Sequence, residues 1–177
     1  MSMKSNHNSE SRDKSFPFVK MHVYDRIGFV VTNFLIDNES REYVASTFEM
    51  DGLKIISRSA KITPTKVGQF VTLWKRREGK QIEPYDVSDD FDLVVINVMK
   101  GDHLGQFVFP KPVLLKAQII SGDAKEGKRG FRVYPPWDVT MSKQAQKSQK
   151  WQLDYFIFAG LAKPINLERA KRLYYSE

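Results

Sequence analysis

Seven lysines and arginines (Lys54, Arg58, Lys61, Lys66, Lys75, Arg76 and Arg77) fall between Gly52 and Arg77 with no aspartate or glutamate among them. The chemistry open to such a cluster is the capture of anions, above all phosphate, because grouped cations raise both affinity and encounter rate for polyanions. Thr63-Pro64-Thr65-Lys66, Gly68 and the run Gln69-Phe70-Val71-Thr72-Leu73-Trp74 are threaded through it, so the charge is carried on structured backbone. A solvated strand face that only keeps the domain soluble is the plain alternative. A second basic region, Lys125 to Lys150, sets Lys125, Lys128, Arg129, Arg132, Lys143, Lys147 and Lys150 against Glu126 and Asp138, with Phe131, Tyr134 and Trp137 interleaved. Arginine beside tyrosine and tryptophan suits gripping phosphates and stacking bases, although Tyr134 and Trp137 serve equally well as core. The candidate phosphate- and base-binding set is therefore Arg58, Lys61, Thr63, Lys66, Lys75, Arg76, Lys111, Arg129, Arg132, Tyr134, Trp137 and Lys150.

Between these regions the sign reverses. From Ile82 to Asp102 six acids (Glu83, Asp86, Asp89, Asp90, Asp92 and Asp102) face the single Lys100 and flank Leu93-Val94-Val95-Ile96-Asn97-Val98. Carboxylates at the start of a sheet strand can hold magnesium beside phosphate and so activate water for phosphodiester hydrolysis, and Asp89, Asp90 and Asp92 stand in that position. The alternative is that these aspartates are turn formers. The chain has no cysteine, which excludes disulfides and thiol catalysis, and its histidines, His7, His22 and His103, are not spaced as a metal site. No cofactor is expected, nor any metal outside the magnesium reading, and no glycine-rich nucleotide fingerprint is present.

The elements that must position these groups follow from length and periodicity. At 177 residues, 41% hydrophobic, the chain supplies one core and is short for two. Residues 1–15 read as a polar, disordered leader and 16–177 as a single domain. With no apolar run of membrane-span length and a net charge of +7, the expected setting is the cytoplasm and the expected partner anionic, with no membrane contact. Apolar spacing predicts a helix from Phe18 to Asp37. Strands are predicted over Glu42 to Met50 and Leu53 to Ile62, joined by an Asp51-Gly52 turn, with Arg58 and Lys61 on opposite faces. Thr63, Pro64 and Gly68 predict a capped helical turn whose free amides would cradle phosphate. Further strands are expected at Phe70 to Arg76, Leu93 to Val98, Gln106 to Phe109 and Gly130 to Tyr134. Helices are expected from Pro112 to Ile119, with Leu115 and Ile119 facing the sheet, from Ser142 to Ala159, and from Asn166 through Tyr174.

The runs from Arg58 to Arg76, Pro84-Tyr85-Asp86, Phe107-Val108-Phe109-Pro110-Lys111, Lys128 to Asp138 and Gln149-Lys150-Trp151-Gln152 resemble the MepB family. That family is bacterial, has no assigned activity and takes its name from a gene beside a multidrug efflux pump and its regulator. The resemblance implies an α/β (α+β) fold of the restriction-endonuclease-like kind, a central mixed sheet flanked by helices, and points to nucleic acid or nucleotide as partner. The nuclease form of that fold needs an acid on one strand and an acid or glutamine two positions before a lysine on the next. Asp92 meets the first requirement, but Phe109 stands two positions before Lys111, and Gln106 is displaced. The expectation is thus a non-catalytic nucleic-acid or nucleotide binder. The alternatives are a divalent-metal nuclease with an atypical site, using Asp90 or Asp92 with Lys111, and a cytoplasmic accessory ligand- or protein-binding module linked to drug response.

Overall fold

The computed structural model describes residues 19–160 and 162–175; the leader expected at 1–15 lies outside them. Its centre is a mixed sheet of six strands: β1 (Val31–Ile36), β2 (Ser46–Met50), β3 (Leu53–Ser59), β8 (Leu93–Lys100), β9 (His103–Pro110) and β11 (Phe156–Phe158). Their order across the sheet is β1-β2-β3-β8-β9-β11. Only β3 and β8 run parallel. The crossover between them holds four short strands, β4 (Lys61–Ile62), β5 (Gln69–Thr72), β6 (Lys75–Arg76) and β7 (Ile82–Glu83). Of these, β5 pairs with β10 (Gly130–Val133) to build a second sheet, β10-β5-β4.

Leu93 to Val98 is buried without interruption because β8 is covered on both sides, which is why it reads as a continuous apolar run rather than an alternating one. Leu93 and Val95 pack with Val23, Tyr24, Val108, Ala170 and Tyr174 under the helices 20–27 and Leu167–Tyr175. Val94, Ile96 and Val98 pack with Phe107, Phe109, Val71, Leu73, Phe131 and Val133 beneath the second sheet and the Lys111–Lys116 helix. The expected central mixed sheet flanked by helices is present, with the small antiparallel sheet as an added cover.

Several local expectations need correction. The helix predicted to Asp37 stops at Ile27, because Gly28 takes a left-handed φ of 85° and Phe29 N–H turns back to the Tyr24 carbonyl at 2.8 Å. The residues beyond it, Val31 to Ile36, join the sheet as its edge. Val31 and Thr32 are β-branched, which suits a strand, and a bulge at Asn33, φ 52°, shifts the register against β2. Thr63 to Gly68 forms no helical turn, so the proposed amide cradle for phosphate does not exist. On Lys111–Lys116 it is Leu114 that is buried, while Leu115 is exposed. The helix begun at Ser142 ends at Gln152, and its apolar continuation becomes β11. The Asp51-Gly52 turn is as expected: φ angles of 50° and 83° at its two residues match the twist of the β2–β3 hairpin.

Candidate nucleic-acid interface

The fold disposes of the first basic run one residue at a time. Arg58 lies on the β3 face shared with Ile56 and is 1% exposed. It donates to the Ser57 carbonyl at 2.9 Å, sits 3.9 Å from Asp37 Oδ2 and leaves its Nε without a partner. It belongs to the interior and cannot meet phosphate at the surface, contrary to expectation. Lys61 pairs with Glu42 at 2.6 Å and lies 4.6 Å above the Tyr43 ring. Lys75 pairs with Asp89 at 2.6 Å and Glu83 at 3.7 Å, Arg76 with Glu39 at 3.0 Å, Arg77 with Glu83 at 2.7 Å, and Lys54 with Asp90. Lys54, Lys75 and Arg77 are therefore neutralised by the acidic run, and Arg58, Lys61 and Arg76 by Asp37, Glu42 and Glu39 ahead of β2. Of the seven cations, Lys66 alone is exposed with no ion pair among the described residues.

The proposed nuclease residues are neighbours that face other tasks. Asp92 and Lys111 meet at one end of the β8–β9 pair, where the Lys111 N–H donates to the Asp92 carbonyl at 3.0 Å. However, Asp92 Oδ2 accepts the Lys54 N–H at 2.8 Å, the Asp90 carboxylate holds the Lys54 ammonium, and Lys111 Nζ donates to the Asp89 carbonyl. Asp86 takes the Ser88 N–H and hydroxyl, which hold its carboxyl below the ordinary aspartate range, with Lys75 and Arg77 adding to the effect. Phe109 is buried, and among the described residues no three histidines, cysteines or acids group as a metal site. Asp90, Asp92 and Lys111 are each thus engaged by the protein itself.

In the second basic region the arginines and aromatics bind the structure to itself. Arg129 pairs with Glu126 at 2.9 Å. Arg132 donates to Thr63 Oγ1 at 2.7 Å and reaches the Val67 and Gly68 carbonyls at 3.5 and 3.4 Å. Thr63 is thus an acceptor that helps Arg132 staple the 63–68 loop to β10, rather than a helix cap. The Tyr134 ring fills the space where a Cβ on Gly68 would stand, 2.7 Å away. Buried Gln152 accepts the Tyr134 N–H at 2.8 Å and donates to the Arg132 carbonyl at 2.9 Å. Trp137 stacks on His103 with centroids 5.2 Å apart, packs edge-on to Phe156, and keeps its indole nitrogen buried without a partner. Trp137 and Trp151 are both half-buried against the same core cluster. Trp137→Ala is accordingly expected to cost about 3 kcal/mol of folding free energy, close to Trp151→Ala, by urea unfolding; a stable Trp137 variant would return that ring to the ligand.

The unneutralised charge gathers elsewhere. Helix Lys143–Gln152 is capped by Ser142, whose hydroxyl accepts the Ala145 N–H at 3.1 Å. It turns Ala145, Ser148, Gln149, Trp151 and Gln152 toward the protein and Lys143, Lys147 and Lys150 outward, since positions i, i+4 and i+7 share one helix face. The helix holds no acid, and among the described residues none of the three lysines has an ion pair. Their spacing is about 6 and 4.5 Å along the axis. Gln149 ties this helix to the loop before it, donating to the Pro135 and Asp138 carbonyls at 3.0 and 2.9 Å. That loop, with the 62–68 loop, bounds a groove of about 430 Å³ lined by Lys66, Lys100 and Trp137. Lys150 is legible from sequence, whereas Lys100 and the groove are not, because they depend on how two distant loops meet.

A MepB-like family model matches residues 37–158. The crystal structure of MepB is similar at 35% identity and a TM-score of 0.71, covering 74% of this chain and 88% of that one. A bacterial homing endonuclease, I-Ssp6803I, aligns at 18% identity with a TM-score of 0.47, over 82% of this chain and 92% of its own. No curated protein matches the chain. The family match spans more than half the sequence and takes in the central sheet from β2 to β11, the second sheet and the lysine helix: the chain belongs to the MepB-like family.

Proposed function

We propose that this protein binds nucleic acid without cleaving it, holding the phosphate backbone on the outward face of the Lys143–Gln152 helix with Lys66 beside the neighbouring groove. The observation that carries this reading is the unpaired stripe Lys143, Lys147 and Lys150 on a helix with no acid. Between Gly52 and Arg77 six of the seven cations meet a carboxylate, whereas here three stand aligned on one helix face with none beside them among the described residues. The setting is the cytoplasm and the partner an anionic polymer rather than a membrane; among the described residues no helix is long and apolar enough to cross one.

The test is a salt titration of binding by fluorescence anisotropy. Affinity for duplex DNA should fall steeply with salt, and replacing Lys143, Lys147 and Lys150 together by glutamine should lower the log–log slope by about 2.7, near 0.9 for each phosphate no longer neutralised. The melting temperature should hardly move, because all three side chains are exposed. A slope the triple variant leaves unchanged would remove the helix from the interface. Product gels with magnesium and manganese belong in the same series. Cleavage abolished by Asp92→Ala and by Lys111→Ala would replace this reading with the nuclease one.

A further inference from the structure

Ile62 and Val67 of the 62–68 loop and the distant Val139 all line the 430 Å³ groove and all are exposed, at 57%, 44% and 75%. An apolar patch rimmed by charge marks a binding surface more often than a scatter of single exposed residues does. Pro64 and one side of Trp137 complete the apolar walls, and Lys66 and Lys100 stand at the rim. Lys66 has no ion pair among the described residues, while Lys100 pairs at 3.4 Å with Asp138, which also lines the groove and which a bound phosphate would displace from that lysine. The walls are held in place: Arg132 fastens the 63–68 loop through Thr63 at 2.7 Å, and Gln149 fastens the 135–138 turn. Val139 leads directly through Thr140 and Met141 to Ser142, the cap of the lysine helix, so the groove opens where the phosphate-binding stripe begins.

We infer that this groove receives one unpaired nucleotide of a single strand, its base against Ile62, Pro64, Val67 and Val139 and its phosphate between Lys66 and Lys100. The inference rests on the proposed nucleic-acid binding and narrows it. A volume of this size lies in the range that houses one small ligand. A base inside a duplex is stacked on both sides and cannot enter, whereas a splayed base frees its flat face for apolar walls such as these. The same apolar residues beside lysines would also suit an anionic membrane surface. A concave groove favours the base, because insertion into lipid calls for projecting side chains.

Anisotropy titrations of the full chain with labelled oligothymidylate and with a duplex of equal length, at one fixed salt concentration, separate these cases. The expected result is that oligothymidylate binds about tenfold more tightly. The pair Val67→Asn and Val139→Asn should remove that margin while leaving duplex affinity unchanged, since the charge is the same. Lys66→Gln should weaken oligothymidylate more than duplex. Both apolar residues are exposed, so the pair should melt with the parent protein, and a melt confirms it. Equal affinity for the two strands, or an oligothymidylate affinity that the Asn pair leaves intact, overturns the groove assignment and leaves the lysine helix standing. Binding to phosphatidylglycerol vesicles that the Asn pair abolishes, with oligothymidylate unaffected, gives the groove to lipid. Binding of neither strand form at low salt removes the parent reading as well.

Discussion

Gln106→Ala is expected to lower folding free energy by about 4 kcal/mol, among the largest effects of any single side chain here, although it touches no ligand. Gln106 is wholly buried in the middle of β9. Its Nε2 donates to Asn97 Oδ1 at 2.8 Å and to the Tyr24 hydroxyl at 3.2 Å, and its Oε1 accepts the Tyr174 hydroxyl at 2.8 Å. Truncation opens a cavity and also takes a hydrogen-bond partner from three buried polar groups, and the two costs add. Tyr174→Phe, which keeps the volume, should cost only about 1–2 kcal/mol, and urea unfolding of the two variants measures the difference. A pH dependence follows from the same cluster. Burial pushes the Tyr24 phenol up to about 12 and the Tyr174 phenol well above its ordinary value, the latter also by the neighbouring Tyr24. In the unfolded chain both ionise near about pH 10. Above that point the unfolded state sheds protons the folded state retains, so stability is level below pH ~10 and falls as pH rises toward 12. A urea midpoint that did not drop over that interval would contradict the burial of this pair.

Gly127→Ala should be nearly as damaging, at about 3 kcal/mol, for a reason that lies in backbone alone. A Cβ there would stand 2.5 Å from the Ile119 carbonyl oxygen, 2.6 Å from the Ile120 carbonyl carbon and 2.7 Å from the Ser121 nitrogen. None of these is the end of a flexible side chain that can swing aside. The adjoining Gly127 N–H to Ser121 Oγ and Lys128 N–H to Ile119 carbonyl bonds, both 2.8 Å, hold the two segments together. Gly127 has no left-handed φ, so thermal unfolding of Gly127→Ala beside Gly79→Ala, where φ is 70° and a Cβ meets nothing within 4 Å, sets a steric cost against a backbone-strain cost.

What the sequence discloses depends on how local the cause is. The Asp51-Gly52 turn, the buried run of β8, the alternation of Phe131 and Val133 against Arg132 and Tyr134, and the Ser142 cap are each set by neighbours in the chain, and each appears as read. Val31 to Ile36 misleads because its apolar spacing fits a helix as well as a strand, and only pairing with β2 decides between them. The phosphate-binding set suffers more. Its basic run invites a reading as free charge, yet basic and acidic runs within one crossover already imply pairs such as Lys75 with Asp89 and Arg77 with Glu83. Arg58 gives no such signal, because its depth follows from its place on β3 between β2 and β8. The outward lysines are legible from a spacing of four and three, as helix geometry requires.

The contact between the Tyr24 and Tyr174 hydroxyls joins residues 150 positions apart. The helix that carries Tyr174 follows every strand in chain order, and it supplies the lid over Val95, Leu104 and Val108. During synthesis the strands therefore leave the ribosome with this side of the sheet covered only by the 20–27 helices. The rest of its aliphatic surface, and the Gln106 Oε1, await a segment still to be translated. The nascent chain passes through a stage in which the sheet is complete and half covered. A ribosome stalled before Ala170 would hold a sheet that chaperones must shield, and the rate at which the final helix docks sets how long that exposure lasts.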